Sequence, residues 1–201
     1  MAQSGRALGS GPRCRWFKSS RPDVNIGSWF VVHSSWKMQK IKSIYIGVIG
    51  AGECSDDVFK LAEEVGERIA KVGAVLVCGG LGGVMEAVSK GAKKQDGITI
   101  GILPGIDKSQ ANPYIDFPIV TGLGEGRNLL VIRNSDVVIA LPGEFGTLSE
   151  IAFALKLGKP VIGLSTQTGG RLPTWDVSDK IIKAKNAEEA VRLALDMADV
   201  S

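Results

Sequence analysis

The chain has 201 residues, 44% of them hydrophobic and 22% charged, enough for one globular domain with a sizeable core. Its 26 glycines follow no Gly-X-Y period, its 8 prolines are too few for a proline-rich disordered chain, and no run approaches the roughly 20 apolar residues that cross a bilayer. The formal charge of +3 is unevenly placed: residues 1–37 carry Arg6, Arg13, Arg15, Lys18, Arg21 and Lys37 against Asp23 alone, so this leader holds +5 and the rest of the chain −2. A body built as a nucleic-acid surface would carry a basic stripe instead.

The leader also holds the only histidine, His33, and three of the four tryptophans, with no helical or strand periodicity. It lacks the apolar h-region of a signal peptide and the amphipathic pattern of a transit peptide. One back-translation of Trp16-Phe17-Lys18-Ser19 contains a sequence like the T-arm of a tRNA gene. The expectation is an overextended reading frame: residues 1–37 are non-native or disordered, Met38 is the natural start, and residues 38–201 are a single domain. Beyond the leader only Cys54 and Cys78 remain, too few for a disulfide scaffold, which points to a reducing cytoplasm.

Residues 44–49 form a β-rich apolar run closed by Gly50-Ala51-Gly52. Val58, Leu61, Ala62, Val65, Ile69 and Val72 then recur at helical spacing, with Asp56 and Asp57 at the start and Gly73 at the end. The pattern continues with a strand at 74–78, a glycine loop at 79–83, a helix at 84–94 and a strand at 99–103. A short strand near Ile119 follows, then a helix from about Glu125 and a strand at 137–141. Next come a loop at 142–146, a helix at 147–157, a strand at 160–164, a polar loop at 165–175, and a last helix opened by Asn186-Ala187-Glu188-Glu189. Continuous apolar strands alternating with amphipathic helices predict a Rossmann-like α/β fold, a doubly wound parallel sheet with helices on both faces. Ligands of such sheets bind outside the carboxyl ends of the strands.

Three of those loops are glycine-rich. The first, around Gly50 and Gly52, does not complete G-x-G-x-x-G, and the second strand ends in Cys78-Gly79-Gly80 without the acidic residue that binds ribose in NAD enzymes, so a dinucleotide redox enzyme is disfavoured. A P-loop sequence is absent. The second loop, Gly79-Gly80-Leu81-Gly82-Gly83, runs into Val84-Met85-Glu86 and has more glycine than a turn needs; it lets backbone lie against an anion at a helix start. The third is Pro142-Gly143-Glu144-Phe145-Gly146-Thr147-Leu148-Ser149-Glu150. Here Thr147 can cap a helix and Glu150 stands in the position of a capping-box acid; the rival role of Glu150 is a carboxylate over the ligand, accepting a ribose hydroxyl or acting as general acid or base.

Pro142-Gly143-x-x-Gly146-Thr147-x-x-Glu150 resembles the PGGxGTxxE motif of the LOG family of the SLOG superfamily, and the segment from Gly79 to Glu86 resembles its first glycine motif, GGGxxGLM. Both lie within residues 42–164, most of which share the likeness. The resemblance implies a Rossmann-like fold, a homodimer or larger homo-oligomer, and, in the enzymes of that family, hydrolysis of cytokinin riboside 5′-monophosphates with Arg127 and Glu150 in the catalytic positions. Two departures stand out: Glu144 replaces the second glycine of PGG, and Asn128 replaces the lysine that usually follows the arginine. Residues 83–92, 121–128, 148–152 and 156–163 look closer to a sister branch that includes the molybdenum cofactor carrier proteins. That branch implies an anion cradle that holds a pterin phosphate without turning it over.

The expectation is therefore a cytoplasmic binding protein for a nucleotide or other phosphorylated heterocycle, with no cofactor of its own, no metal, and no nucleic-acid or membrane partner. Its ligand-binding residues are expected to be Gly50, Gly52, Gly79, Gly80, Gly82, Gly83, Met85, Glu86, Arg127, Asn128, Pro142, Gly143, Glu144, Gly146, Thr147 and Glu150. The alternative is a phosphoribohydrolase that cleaves the N-glycosidic bond of a nucleoside 5′-monophosphate to free base and ribose 5-phosphate. Trp175 either covers the ligand or anchors the polar loop, Cys54 and Cys78 are small buried side chains, and Lys93-Lys94 is a solvated helix end.

Overall fold

Strand residues alternate between two apolar layers, and this alternation builds the molecule. A computed structural model describes residues 43–165 and 178–198; the basic leader and Trp175 lie outside the described residues. The strands are β1 (Tyr45–Ile49), β2 (Val75–Cys78), β3 (Thr99–Leu103), β4 (Phe117–Val120), β5 (Val137–Ala140), β6 (Val161–Leu164) and β7 (Ile182–Ala184). All pair in parallel, in the order β4-β3-β2-β1-β5-β6-β7. Along the strands Ile46, Val48, Leu76, Val137, Ile139 and Ile162 feed one core, while Ile49, Val77, Val138, Ala140 and Val161 feed the other. Successive side chains point to opposite faces, so a strand buried on both sides reads as one continuous apolar run.

The first core is covered by α1 (Asp56–Lys71), α2 (Val84–Lys93) and α5 (Ala187–Ala198), the second by α3 (Asn128–Arg133) and α4 (Phe145–Lys156). Helices α1 and α2 meet backbone to backbone: a Cβ on Gly66 would strike Val88 of α2, and one on Gly91 would strike Glu63 of α1. The same pair is joined at its rim by Lys94, 2.8 Å from Glu63 and 3.0 Å from Glu67, while Lys93 reaches Asp116 at 2.9 Å. The two lysines are thus ion-paired, where the sequence suggested a simply solvated helix end.

Other boundaries moved for local reasons. Helix α1 stops at Lys71, so Val72 leaves the apolar stripe and is 46% exposed. The helix expected from Glu125 is a 3₁₀ turn, Gly124–Arg127, that hands over to α3. Strand β7 was not foreseen. It is three residues long at the sheet edge and has no apolar run of its own. The start of α5 follows the sequence signal: Asn186 accepts the Glu189 N–H at 2.9 Å, and the Glu189 carboxylate accepts the Lys185 N–H at 2.8 Å.

Strands β1 to β4 step outward on one side, and the chain then returns so that β5 lies on the other side of β1. That reversal opens a crevice at the carboxyl ends of β1 and β5, where open α/β sheets bind ligands.

Candidate functional site

The loops after β1, β2 and β5 are fastened together at Ala51. Its N–H donates to the Pro142 carbonyl at 3.1 Å, and its own carbonyl accepts the Val84 N–H at 3.0 Å; Leu141 N–H reaches Ile49 O at 2.9 Å. Between these loops lies a cleft of about 520 Å³. Gly50, Gly52, Gly79, Gly82 and Met85 line it from the first two loops; Arg127 and Asn128 from the 3₁₀ turn and α3; Glu144, Gly146, Thr147 and Glu150 from the third loop and α4. Eleven of the sequence-proposed residues are thereby brought to one place.

Arg127 is 8% exposed. A Cβ on Gly79 would collide with its guanidinium, and one placed there would lie 2.5 Å from the Met85 sulfur, so glycine at position 79 is what lets the guanidinium lie against the β2 loop. Nε of Arg127 is buried without a hydrogen-bond partner, and no described carboxylate lies within 4.0 Å of the guanidinium. A buried, unpaired cation is costly on its own and is relieved by an anion.

Helix α4 starts earlier than the sequence suggested. Glu144 is its N-cap, with extended backbone and no side-chain cap, and the first bond of the helix is Leu148 N–H to Glu144 O at 3.0 Å. The N–H groups of Phe145, Gly146 and Thr147 therefore have no intrahelical acceptor. Thr147 sits third in the helix, 2% exposed beneath Gly143, rather than capping it, and Glu150 lies a full turn too deep to be a capping-box acid. Its carboxylate is instead a wall of the cleft, 7% exposed. Burial pushes Glu150 up to about 7, against the opposing charge of Arg127 and with a further rise from Glu125.

Asn128, where the LOG pattern has lysine, is buried; its Nδ2 donates to Ser149 Oγ at 3.4 Å, and Ser149 Oγ donates to Gly146 O at 2.6 Å. It ties α3 to the turn that opens α4. Glu144 is exposed at the mouth.

Five proposed residues do not reach the cleft wall. Gly80 (φ +74°) and Gly83 (φ +61°) are demanded by the backbone, a Cβ on Gly83 lying 2.5 Å from the Ala51 carbonyl oxygen. Pro142 contributes its carbonyl to Ala51, Gly143 makes room for Thr147, and Glu86 is half-buried on α2. Conversely, Val48, Ile49, Ala51, Glu53, Leu81 and Glu125 line the cleft though sequence reasoning had not singled them out. Glu53 follows Gly52 directly and Glu125 precedes Arg127 by two positions, so adjacency to the motifs was the available signal. Cys78 is buried, its sulfur 3.6 Å from Ser89 Oγ, and burial pushes its thiol up; Cys54 is half-buried. Among the described residues no cluster of three or more His, Cys, Asp or Glu side chains could hold a metal ion, and no helix is long and apolar enough to cross a membrane.

Comparison with known proteins agrees with this architecture. The molybdenum cofactor binding protein of the phototrophic bacterium Rippkaea orientalis superposes with a TM-score of 0.72 at 41% identity, covering 78% of this chain and 98% of that one. The molybdenum cofactor carrier protein MCP of Chlamydomonas reinhardtii gives 0.70 at 33% identity, covering 79% and 99%. A cytokinin riboside 5′-monophosphate phosphoribohydrolase of Mycobacterium tuberculosis is 33% identical over 159 residues, covering 68% of this chain and 84% of that protein. The model of the SLOG cluster4 family matches residues 43–199, and the chain belongs to that LOG-like family.

Proposed function

We propose that this protein binds a nucleotide or another phosphorylated heterocycle in the manner of a molybdenum cofactor carrier, holding it without turnover. The observation that carries the reading is the buried guanidinium of Arg127, its Nε unpartnered, on the wall of a glycine-lined cleft. A phosphate there meets a planar fork of donors and the free N–H groups at the start of α4. Gly79, Gly82 and Gly146 allow backbone to approach it, and Glu150 faces the remainder of the ligand.

The second reading is a phosphoribohydrolase, favoured by Glu150 itself: an ionised carboxylate there could stabilise the cationic sugar or position water while Arg127 holds the phosphate. Against it, a group raised to about 7 is half neutral at neutral pH, which suits donation of a hydrogen bond to a ligand better than stabilisation of a cation. Glu144, in place of glycine, puts a further negative charge at the mouth.

The cytoplasmic setting and a homodimer or larger assembly belong to the same proposal. Free Cys54 and Cys78 support the first, and the exposed Phe145 and Phe153 of α4 with Leu157 just after it support the second. Native mass spectrometry of gently purified protein, paired with an assay for free base, tests the function. The expected result is a retained phosphorylated ligand and no base release. Base release from a nucleoside 5′-monophosphate that Glu150→Gln abolishes would establish the enzyme instead.

A further inference from the structure

We propose that the cleft takes up a proton together with its anionic ligand, and that Glu150 holds it. The inference rests on the phosphate reading of the cleft and adds a proton to its occupancy. Among the described residues, four carboxylates line the space, Glu53, Glu125, Glu144 and Glu150, against one guanidinium, that of Arg127. The formal charge of these five groups is −3, and a phosphate monoester brings on the order of two more negative charges. Removing some of that charge favours an anion there, and a proton is the counter-ion that needs no coordination sphere.

The four acids are not equivalent as proton acceptors. Glu144 is exposed, and Glu53 and Glu125 are exposed as well, so solvent screens their charge. Glu150 is the one that is buried, and its carboxylate accepts no hydrogen bond among the described residues. The charged and titratable groups around it come from every neighbouring element: Arg127 and Glu125 from the 3₁₀ turn, Cys78 from the end of β2, Glu53 from the β1 loop, and Glu144 from the start of its own helix. Of these only Arg127 favours the ionised form, and a bound phosphate would engage that same cation. Binding offsets that attraction and sets a second anion beside Glu150. Since Glu150 already stands at about 7, the added anion moves it further up.

The sign follows from linkage. A group protonated more in the bound than in the free state makes affinity fall as pH rises from about 7, by up to about tenfold per unit. The test is calorimetric titration of the full chain with adenosine 5′-monophosphate, and with ribose 5-phosphate, which has no base to lose. At pH 7.5, in buffers of different ionisation enthalpy, it reads the protons taken up per ligand. More than about half a proton per ligand is expected, falling to near zero in Glu150→Gln, whose affinity should no longer change above pH 7. In the unaltered chain a pH series gives a second readout: uptake carried by Glu150 rises through pH 7, whereas uptake carried by the phosphate rises through its own second ionisation near 6. Saturable binding without proton uptake, uptake that persists in Glu150→Gln, or uptake centred near 6 overturns the proposal and leaves the phosphate reading standing. Failure of both probes to bind overturns the phosphate reading itself.

Discussion

The β2 loop and the β5 loop are both glycine-rich and both border the cleft, yet their glycines answer to different constraints. At three positions of the β2 loop a side chain has nowhere to go: Gly79 abuts Arg127 and Met85, Gly80 and Gly83 have positive φ, and Gly83 lies under the carbonyls of Ala51 and Gly52. In the β5 loop Gly143 is crowded by Thr147, but Gly146 has nothing within 4 Å of where a Cβ would stand, and nearby Glu144 is exposed. The first loop commits three of its four glycines to close packing, while Gly82 is left for the cleft. The second keeps a space that a ligand could use. A run of glycines is thus not one signal but two, and only the surroundings separate them.

The largest effect that would sharpen this contrast is expected at Gly83. Substitution by Ala places a Cβ against two backbone carbonyls at φ +61°, and combined strain and overpacking should cost roughly 2–4 kcal/mol, measured by urea unfolding. An unchanged midpoint would show that the β2 loop is as open as its counterpart.

Next comes Glu150, behind the open loop. Its ionisation is raised from 4.5 to about 7, so the folded chain holds a proton there that the unfolded chain loses on passing through about 4.5. The stabilisation by the neutral form is full below pH 4.5 and is lost as pH rises towards 7. Glu150→Gln should therefore be more stable than the natural chain at pH 8, by on the order of 2–3 kcal/mol, and equal to it at pH 4. Thermal melts across that range check the sign.

Arg127 lies against the β2 loop and lines the same cleft as the β5 loop. Arg127→Ala should weaken binding of a phosphorylated ligand far more than of its dephosphorylated counterpart, by about 1.5–3 kcal/mol, the scale of hydrogen bonds to a charged group. Calorimetry showing equal losses for both ligands would remove Arg127 from the phosphate site. Gly146→Ala then offers the converse of Gly83. Alanine in the first turn of α4 should stabilise the fold by about 0.5–1 kcal/mol while narrowing the cleft and weakening binding. The smallest change is Glu144→Gly, which removes one exposed negative charge from the mouth; affinity for nucleoside monophosphates should rise about two- to fivefold in low salt. A fall in affinity would mark Glu144 as an acceptor for a hydrogen-bond donor on the ligand's ring.

Much of this is legible in the sequence. The β3 bounds coincide with the apolar run at 99–103, and the two-faced burial of β1, β2, β5 and β6 follows from runs such as Val137-Val138-Ile139-Ala140. Arg127 and Glu150 were recognisable through the motifs around them and do face one cleft. The start of α4 was misread because Thr147 and Glu150 fit a capping box by spacing; the true boundary at Phe145 is decided by Glu144 O, which accepts the first helical bond.

What the sequence determined by itself is what short-range periodicity can encode: a parallel α/β sheet, the order of its elements apart from β7, and glycine loops at the carboxyl ends of three strands. Those signals are local because a strand or helix declares its buried faces through its own residues. Only the tertiary structure decided that Gly79 yields its space to Arg127, that Glu53 and Glu125 join Glu144 and Glu150 around one guanidinium, and that Lys183 sits in an edge strand beside Gly163. Each of these depends on segments far apart in the chain meeting in a common volume. Desolvation and unpaired charge are properties of that volume and not of any stretch of residues.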